Sequence, residues 1–139
     1  MSDTINLNRQ QLIAFREAAA ALVKFRKAFG RDPEPSYLAE ISTSTKLKLR
    51  LVQSPNQKGF DALDKNKKKY QIKYRNAQNV DINNFKFDYI LLVNSTKKNP
   101  FGAIWCLTKS DAKNIFMQRK KFRKYQVTQK KFKNHAKRL

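Results

Sequence analysis

Asp61, Gln71 and Lys73 are the residues of this sequence whose types and spacing best suit chemistry. Residues 69–75, Lys-Tyr-Gln-Ile-Lys-Tyr-Arg, alternate at period two. Tyr70, Ile72 and Tyr74 fall on one face of an extended strand, and Lys69, Gln71, Lys73 and Arg75 on the other. Residues 59–75 together read as a β-hairpin, with Asp61 on its first strand and a lysine-rich tip at residues 65–68. An acid thus lies near an amide and an amine. A carboxylate and an amide carbonyl are oxygen ligands for a hard divalent cation, and a neighbouring amine can orient a water or hold its proton.

The composition points to what such groups act on. Lys and Arg number 31 against 10 Asp and Glu, a formal charge of +21 in 139 residues. That excess implies a polyanionic partner, with nucleic acid first and an anionic membrane surface as the plainer alternative. Hydrophobic residues make up 40%, including ten Phe and five Tyr, so a folded core is expected. The length suits a single domain over residues 1–139, with 119–139 as a basic C-terminal extension within it. No run of 18 apolar residues is present to span a bilayer, so no membrane partner is expected. The first residues, Met-Ser-Asp-Thr-Ile-Asn, lack the basic-then-apolar layout of a signal peptide, and a cytoplasmic location is the expectation. The lone Cys106 cannot form an intrachain disulfide and sits in an apolar run, as a small core residue would. His135 and Cys106 give no zinc-ligand spacing, and no Walker A or Rossmann fingerprint occurs.

These groups need a scaffold. Residues 8–29 read as a long helix, with Leu12, Phe15, Ala19, Leu22 and Val23 at helical spacing and Gly30, Pro33 and Pro35 ending it. Residues 36–44 read as a short second helix capped by Ser36, with Glu40 among its apolar residues. Residues 46–52 alternate Leu47, Leu49 and Leu51 with Lys46, Lys48 and Arg50, as a half-buried strand does. Residues 76–84 read as a polar loop. The apolar run at residues 87–93 reads as a central strand covered on both faces, followed by another at 102–107. Thr108 and Asp111 match the start of a helix whose inner side is Ala112, Ile115 and Phe116. In the tail, Tyr125 and Val127 suggest a brief strand, and Thr128 a cap for a last helix with Phe132 and Ala136. The order predicts an α/β (or α+β) layer structure with a mixed sheet.

A polyanion and an oxygen-rich site together suggest phosphodiester hydrolysis. That reaction needs a polarised phosphoryl oxygen, an aligned and deprotonated water, and compensation of growing negative charge. Mg²⁺, with Mn²⁺ as its usual substitute, accepts one or two carboxylates and fills its remaining positions with phosphate and water. Asp61 is the candidate anchor, with the Gln71 side-chain carbonyl and the Ile72 backbone carbonyl as further ligands. Lys73, on the face of Gln71, is the candidate to orient or deprotonate water.

Glu40, Gly59-Phe60-Asp61-Ala62 and Tyr70-Gln71-Ile72-Lys73-Tyr74-Arg75 together resemble the PD-(D/E)XK nuclease superfamily, in its small restriction-endonuclease-like members with a Gln-X-Lys variant. The resemblance covers residues 36–116 and implies an αβββαβ core that cuts DNA with Mg²⁺. The family's helix-borne acid falls on Glu40, its strand acid on Asp61, its second ligand on Gln71 and its lysine on Lys73. Glu40 thereby joins Asp61, Gln71 and Ile72 as a metal ligand, with Glu17 as a rival for its place. Gln71 stands where most members carry a carboxylate, which removes one negative charge from the site.

The expected activity is therefore a Mg²⁺-dependent DNA endonuclease, restriction-type or junction-resolving, on double-stranded or branched DNA. A homodimer would place one centre on each strand of a duplex. Phosphate contacts are expected from Lys65, Lys67, Lys68, Lys69, Arg75, Lys120, Lys121, Arg123 and Lys124. Base reading is open between the amides of residues 76–84 and the tail. The alternatives are a non-catalytic nucleic-acid-binding module that keeps the fold, and a basic RNA-binding protein.

Overall fold

The structure, a computed structural model, describes residues 4, 6–52, 59–75, 77–119 and 124–139. They form two compact units, Met1–Glu34 and Pro35–Leu139.

The first unit is helix α1, Arg9–Phe29. Asn8 and Gln11 form a reciprocal capping box: the Asn8 side chain accepts from the Gln11 amide at 2.8 Å, and the Gln11 side chain accepts from the Asn8 amide at 2.9 Å. Gly30, at φ 72°, closes the other end in the left-handed conformation that suits glycine. Beyond it, Arg26 pairs with Asp32.

In the second unit the chain runs α2 (Pro35–Leu47), β1 (Arg50–Leu51), β2 (Ala62–Leu63), β3 (Lys69–Tyr74), β4 (Asn79–Ile82), β5 (Tyr89–Asn94) and β6 (Ala103–Thr108). It continues through α3 (Lys109–Ile115), β7 (Met117–Arg119), β8 (Lys124–Thr128), α4 (Gln129–His135) and β9 (Lys137–Arg138). The principal sheet has the order β1-β2-β3-β5-β6-β9 and is mixed: β3 and β5 are parallel and the other pairs antiparallel. A second sheet, β4-β8-β7, is antiparallel. The expected mixed α/β architecture is present, with four helices among the described residues.

Strand β5 is central and covered on both faces, as its apolar run predicts. Ile90 and Leu92 point into a core with Phe87, Leu107, Phe116 and Phe132. Leu91 and Val93 point the other way, onto Ile72, Ile104 and Ala39 of α2. Burying each large side chain stabilises the fold by about 1.5–3 kcal/mol before entropy is counted, which offsets self-repulsion in so basic a chain. Thr108 and Thr128 cap α3 and α4 as expected, each accepting a backbone N–H at 3.2 Å.

Five expectations need correction. The second helix begins at Pro35, so Ser36 lies within its first turn rather than capping it, and it continues through Leu47 into the strand expected at residues 46–52. It ends on Lys48, at φ 58°, with the Leu49 amide donating to the Ser44 carbonyl at 2.8 Å. That is a Schellman closure with lysine where glycine is usual, and it shortens the following strand to Arg50–Leu51. Leu47, Leu49 and Leu51 still pack on the core, which is the burial their alternation signalled. Residues 79–82 form β4 rather than loop, because Val80 and Ile82 alternate into the core against Val127 and Tyr125. The αβββαβ order expects a helix between the third and fourth strands. Among the described residues between β3 and β5 the ordered element is β4 instead. Ala136 caps the last helix rather than lying within it. The expected turn at residues 54–58 lies outside the described residues.

Candidate active site

The hairpin forms as expected, and its register sets the site. Ala62 pairs with Tyr70 and Leu63 with Lys69, so Asp61 lies across from Gln71 just past the end of β2. Asp64 holds the tip: its Oδ1 accepts the amides of Asn66 and Lys68 at 2.8 and 2.9 Å. Next to the tip Asp88 braces the start of β3, accepting the Lys69 amide on Oδ2 at 2.8 Å and donating its own amide to the Lys69 carbonyl at 2.8 Å. Asp88 is thus committed to the backbone.

Alternation puts Ile72 under α2 and leaves Gln71 and Lys73 on the opposite face. There Asp61, Gln71 and Lys73 line one cleft of about 170 Å³, with Gly59, Ile82, Asn83 and Asn84 forming the rest of its wall. Asp61 is only 7% exposed. Its Oδ2 accepts the Ile72 amide at 2.7 Å, and its carboxyl hydrogen-bonds Glu40, which α2 delivers from the side. Sequence reasoning preferred Glu40 to Glu17, and Glu40 is the acid that meets Asp61; Glu17 lies on α1, in the other unit.

The electrostatics follow from burial. Desolvation raises the Asp61 pKa above the ordinary carboxylate range, outweighing the hydrogen bonds from Glu40 and the Ile72 amide and the attraction of Lys73. Lys73 moves the other way. Burial and then the neighbouring Arg75 lower its pKa, against the pull of Asp61 and Asp81. These opposed shifts bring the proton affinities of the acid and the amine closer together in one cleft.

The residues fit a hard divalent cation. Ile72 sends its N–H to Asp61, and a strand residue's N–H and C=O leave by the same edge. The Ile72 carbonyl therefore faces the Asp61 side, past the end of β2. Asp61, the Gln71 amide oxygen and that carbonyl are three oxygen donors, with Glu40 as a second carboxylate. Among the described residues no three His, Cys, Asp or Glu side chains gather at one point, so any cation here relies on neutral oxygens as well. Mg²⁺ tolerates that donor set better than Zn²⁺ does.

The expected phosphate-binding residues fall in several places. Lys65, Lys67, Lys68 and Lys69 are exposed at the hairpin tip, with Lys69 Nζ 5.3 Å from the Phe60 ring centroid. Arg75 is half-buried beyond β3, and Lys124 is exposed on β8. Lys120, Lys121 and Arg123 lie outside the described residues. Cys106 is half-buried beside the core, its thiol pushed up to about 11 by burial, as expected of an inert packing residue. Sequence reasoning did not place Asn83 and Asn84 in the cleft wall. The signal was the Asn79-Val80-Asp81-Ile82 alternation, which marks a strand carrying the next residues toward the site.

No protein-family model matches this chain, and no curated protein matches it.

Proposed function

We propose that this protein is a Mg²⁺-dependent DNA endonuclease of the PD-(D/E)XK kind, with a variant restriction-endonuclease-like core, hydrolysing phosphodiester bonds at the cleft of Asp61, Gln71 and Lys73. The observation that carries this reading is the convergence of Asp61, Glu40, Gln71 and Lys73 from a helix and a hairpin onto one buried corner. The charge distribution supports it. Residues 35–139 hold 25 of the 31 basic residues and 6 of the 10 acidic ones, so the unit bearing the cleft is the polyanion-seeking one.

Asp61, Glu40, the Gln71 amide and the Ile72 carbonyl would hold the cation, which supplies polarisation of the phosphoryl oxygen. The residues themselves do the rest. The Ile72 amide and Glu40 fix the Asp61 carboxylate, so it is aimed before substrate arrives. Lys73, with its lowered pKa, accepts or positions a proton of the attacking water and, when charged, offsets negative charge on the phosphate. Ile82 and the Asn83–Asn84 wall narrow the cleft and limit bulk water. A second copy of the chain would bring a second centre to the opposite strand, the arrangement expected of a double-strand cutter.

Gln71 favours a second reading, a DNA-binding module without turnover, because it removes a charge that helps hold the cation. Incubating the protein with supercoiled plasmid and branched duplexes separates the two. The nuclease reading predicts nicked and linear products with Mg²⁺ or Mn²⁺, none with chelator, and none from Asp61→Ala. Binding without products in any metal leaves only the second reading, and preferential retention of folded RNA would contradict both.

A further inference from the structure

The second sheet has one face in the core and one in solvent. Val80, Ile82, Tyr125 and Val127 point inward. The ladder sets Asp81 opposite Gln126, Gln126 opposite Met117, and Lys124 opposite Arg119. By alternation these five side chains share the outer face. Met117 is 70% exposed, a large apolar side chain held in water beside charged neighbours. Arg119 Nη1 donates to Gln126 Oε1 at 3.1 Å, so a guanidinium and an amide are presented together from adjacent strands. With Asn79 they border a groove of about 330 Å³.

This face leads to the catalytic cleft. Strand β4 contributes Asn79 to the groove, and its end and the residues just after it, Ile82, Asn83 and Asn84, to the cleft. Asp81 and Lys124 are both close enough to act on Lys73. The outer face reaches the cleft through Asp81 and Lys124, since Ile82 at the cleft belongs to the inner face, and a duplex lying on the outer face would extend to Lys73.

We propose that the β7–β8 ribbon is the base-reading element, entering the major groove of duplex DNA with Arg119 and Gln126 as the reading pair. The choice of DNA rests on the nuclease reading; the choice of element rests on the sheet. A two-stranded ribbon fits the major groove. An arginine fork matches the O6 and N7 acceptors of guanine, and a glutamine amide matches the N6 donor and N7 acceptor of adenine. Met117 offers apolar contact to a thymine methyl, and Lys124 a phosphate contact. Among the described residues the outer face presents no aromatic ring, the platform on which single-stranded bases stack, so duplex is favoured over single strand.

The test is selection of full-length protein, in chelator, on a pool of random duplexes, with sequencing of the bound fraction. The wild type enriches a short motif. Arg119→Ala flattens one position of it, lowering discrimination there by about 5- to 150-fold. Arg119→Lys, which keeps the charge but loses the fork, flattens the same position, and Gln126→Ala flattens a different one. Matching thermal melts of the variants exclude misfolding as the cause. The proposal is overturned if the wild type enriches no motif, if Arg119→Ala enriches the same motif as strongly, or if single-stranded or RNA pools outcompete duplex. Because nothing is cut in this assay, motif reading without cleavage elsewhere sinks only the nuclease reading. Cleavage without motif reading sinks only this one.

Discussion

At the residue scale, burial shifts Asp61 toward its protonated form and Lys73 toward its neutral one, at a cost to the fold. The folded-state pKa of Asp61 lies above its unfolded value, so the folded chain binds the proton more tightly. Stability is therefore greatest below the ordinary carboxylate pKa and declines as pH rises toward the raised one. Asp61→Asn keeps an oxygen for the Ile72 amide and removes the buried charge. At pH 7 it should raise the thermal midpoint while lowering cleavage by about 10²-fold or more; each kcal/mol moves the midpoint by roughly 4 °C in a protein this size. A lowered midpoint would show that Asp61 is held for stability. A cation held at Asp61 would have to displace its proton, so its apparent affinity should rise about tenfold per pH unit until pH passes the raised pKa. Titrations at several pH values check this. Lys73→Ala should lower the cleavage rate by about 10²–10⁴-fold with duplex binding in chelator nearly unchanged. Gln71→Glu should restore the missing charge and reduce the Mg²⁺ needed for half-maximal cleavage by about tenfold, measured by metal titration of the cleavage rate.

At the scale of elements, the cleft depends on two braces. Gly59 has φ +76°, and a β-carbon there would approach Asn84 Oδ1 and Lys86 Cβ at 3.0 Å. Gly59→Ala should therefore cost about 1–2 kcal/mol in denaturant unfolding and lower cleavage by displacing the Asn84 wall. Asp88 ties β3 to the start of β5, and Asp88→Ala, which leaves the Lys69 amide to water, should cost about 0.5–1.5 kcal/mol by the same measurement. The hairpin, the central strand, the α3 and α4 caps and the Gly30 end of α1 were legible because each carries a local signal: alternation, an apolar run, a side chain placed to accept an N–H, or a helix-ending glycine. Three features were not. Lys48 in a left-handed conformation breaks the glycine rule that marks helix ends, so α2 hid inside an apparent strand. The four-residue β4 carries only a short alternation, Val80 and Ile82, inside a polar stretch, and owes its strand to pairing with β8, some 45 residues away. Of the site, Asp61, Gln71 and Lys73 were legible from one hairpin, whereas the meeting of Glu40 with Asp61 needed the packing of α2 on the sheet.

At the scale of the whole molecule, charge and site coincide in Pro35–Leu139. Duplex binding in chelator should weaken by about 10³-fold or more between 50 and 200 mM salt, the behaviour of six or more phosphate contacts; a flat salt profile would contradict a phosphate-tracking surface. Among the described residues no helix is long and apolar enough to cross a membrane. The two-strand reading further expects two chains per bound palindromic duplex, measurable as a solution mass. The central claim concerns one corner of one cleft, and anomalous diffraction from crystals grown with DNA and Mn²⁺ tests it most directly. The account predicts a metal peak roughly 2.0–2.2 Å from Asp61, the Gln71 amide oxygen and the Ile72 carbonyl, with a backbone phosphate beside Lys73. Duplex bound across the cleft with no metal at Asp61, or with metal only at other residues, would contradict it.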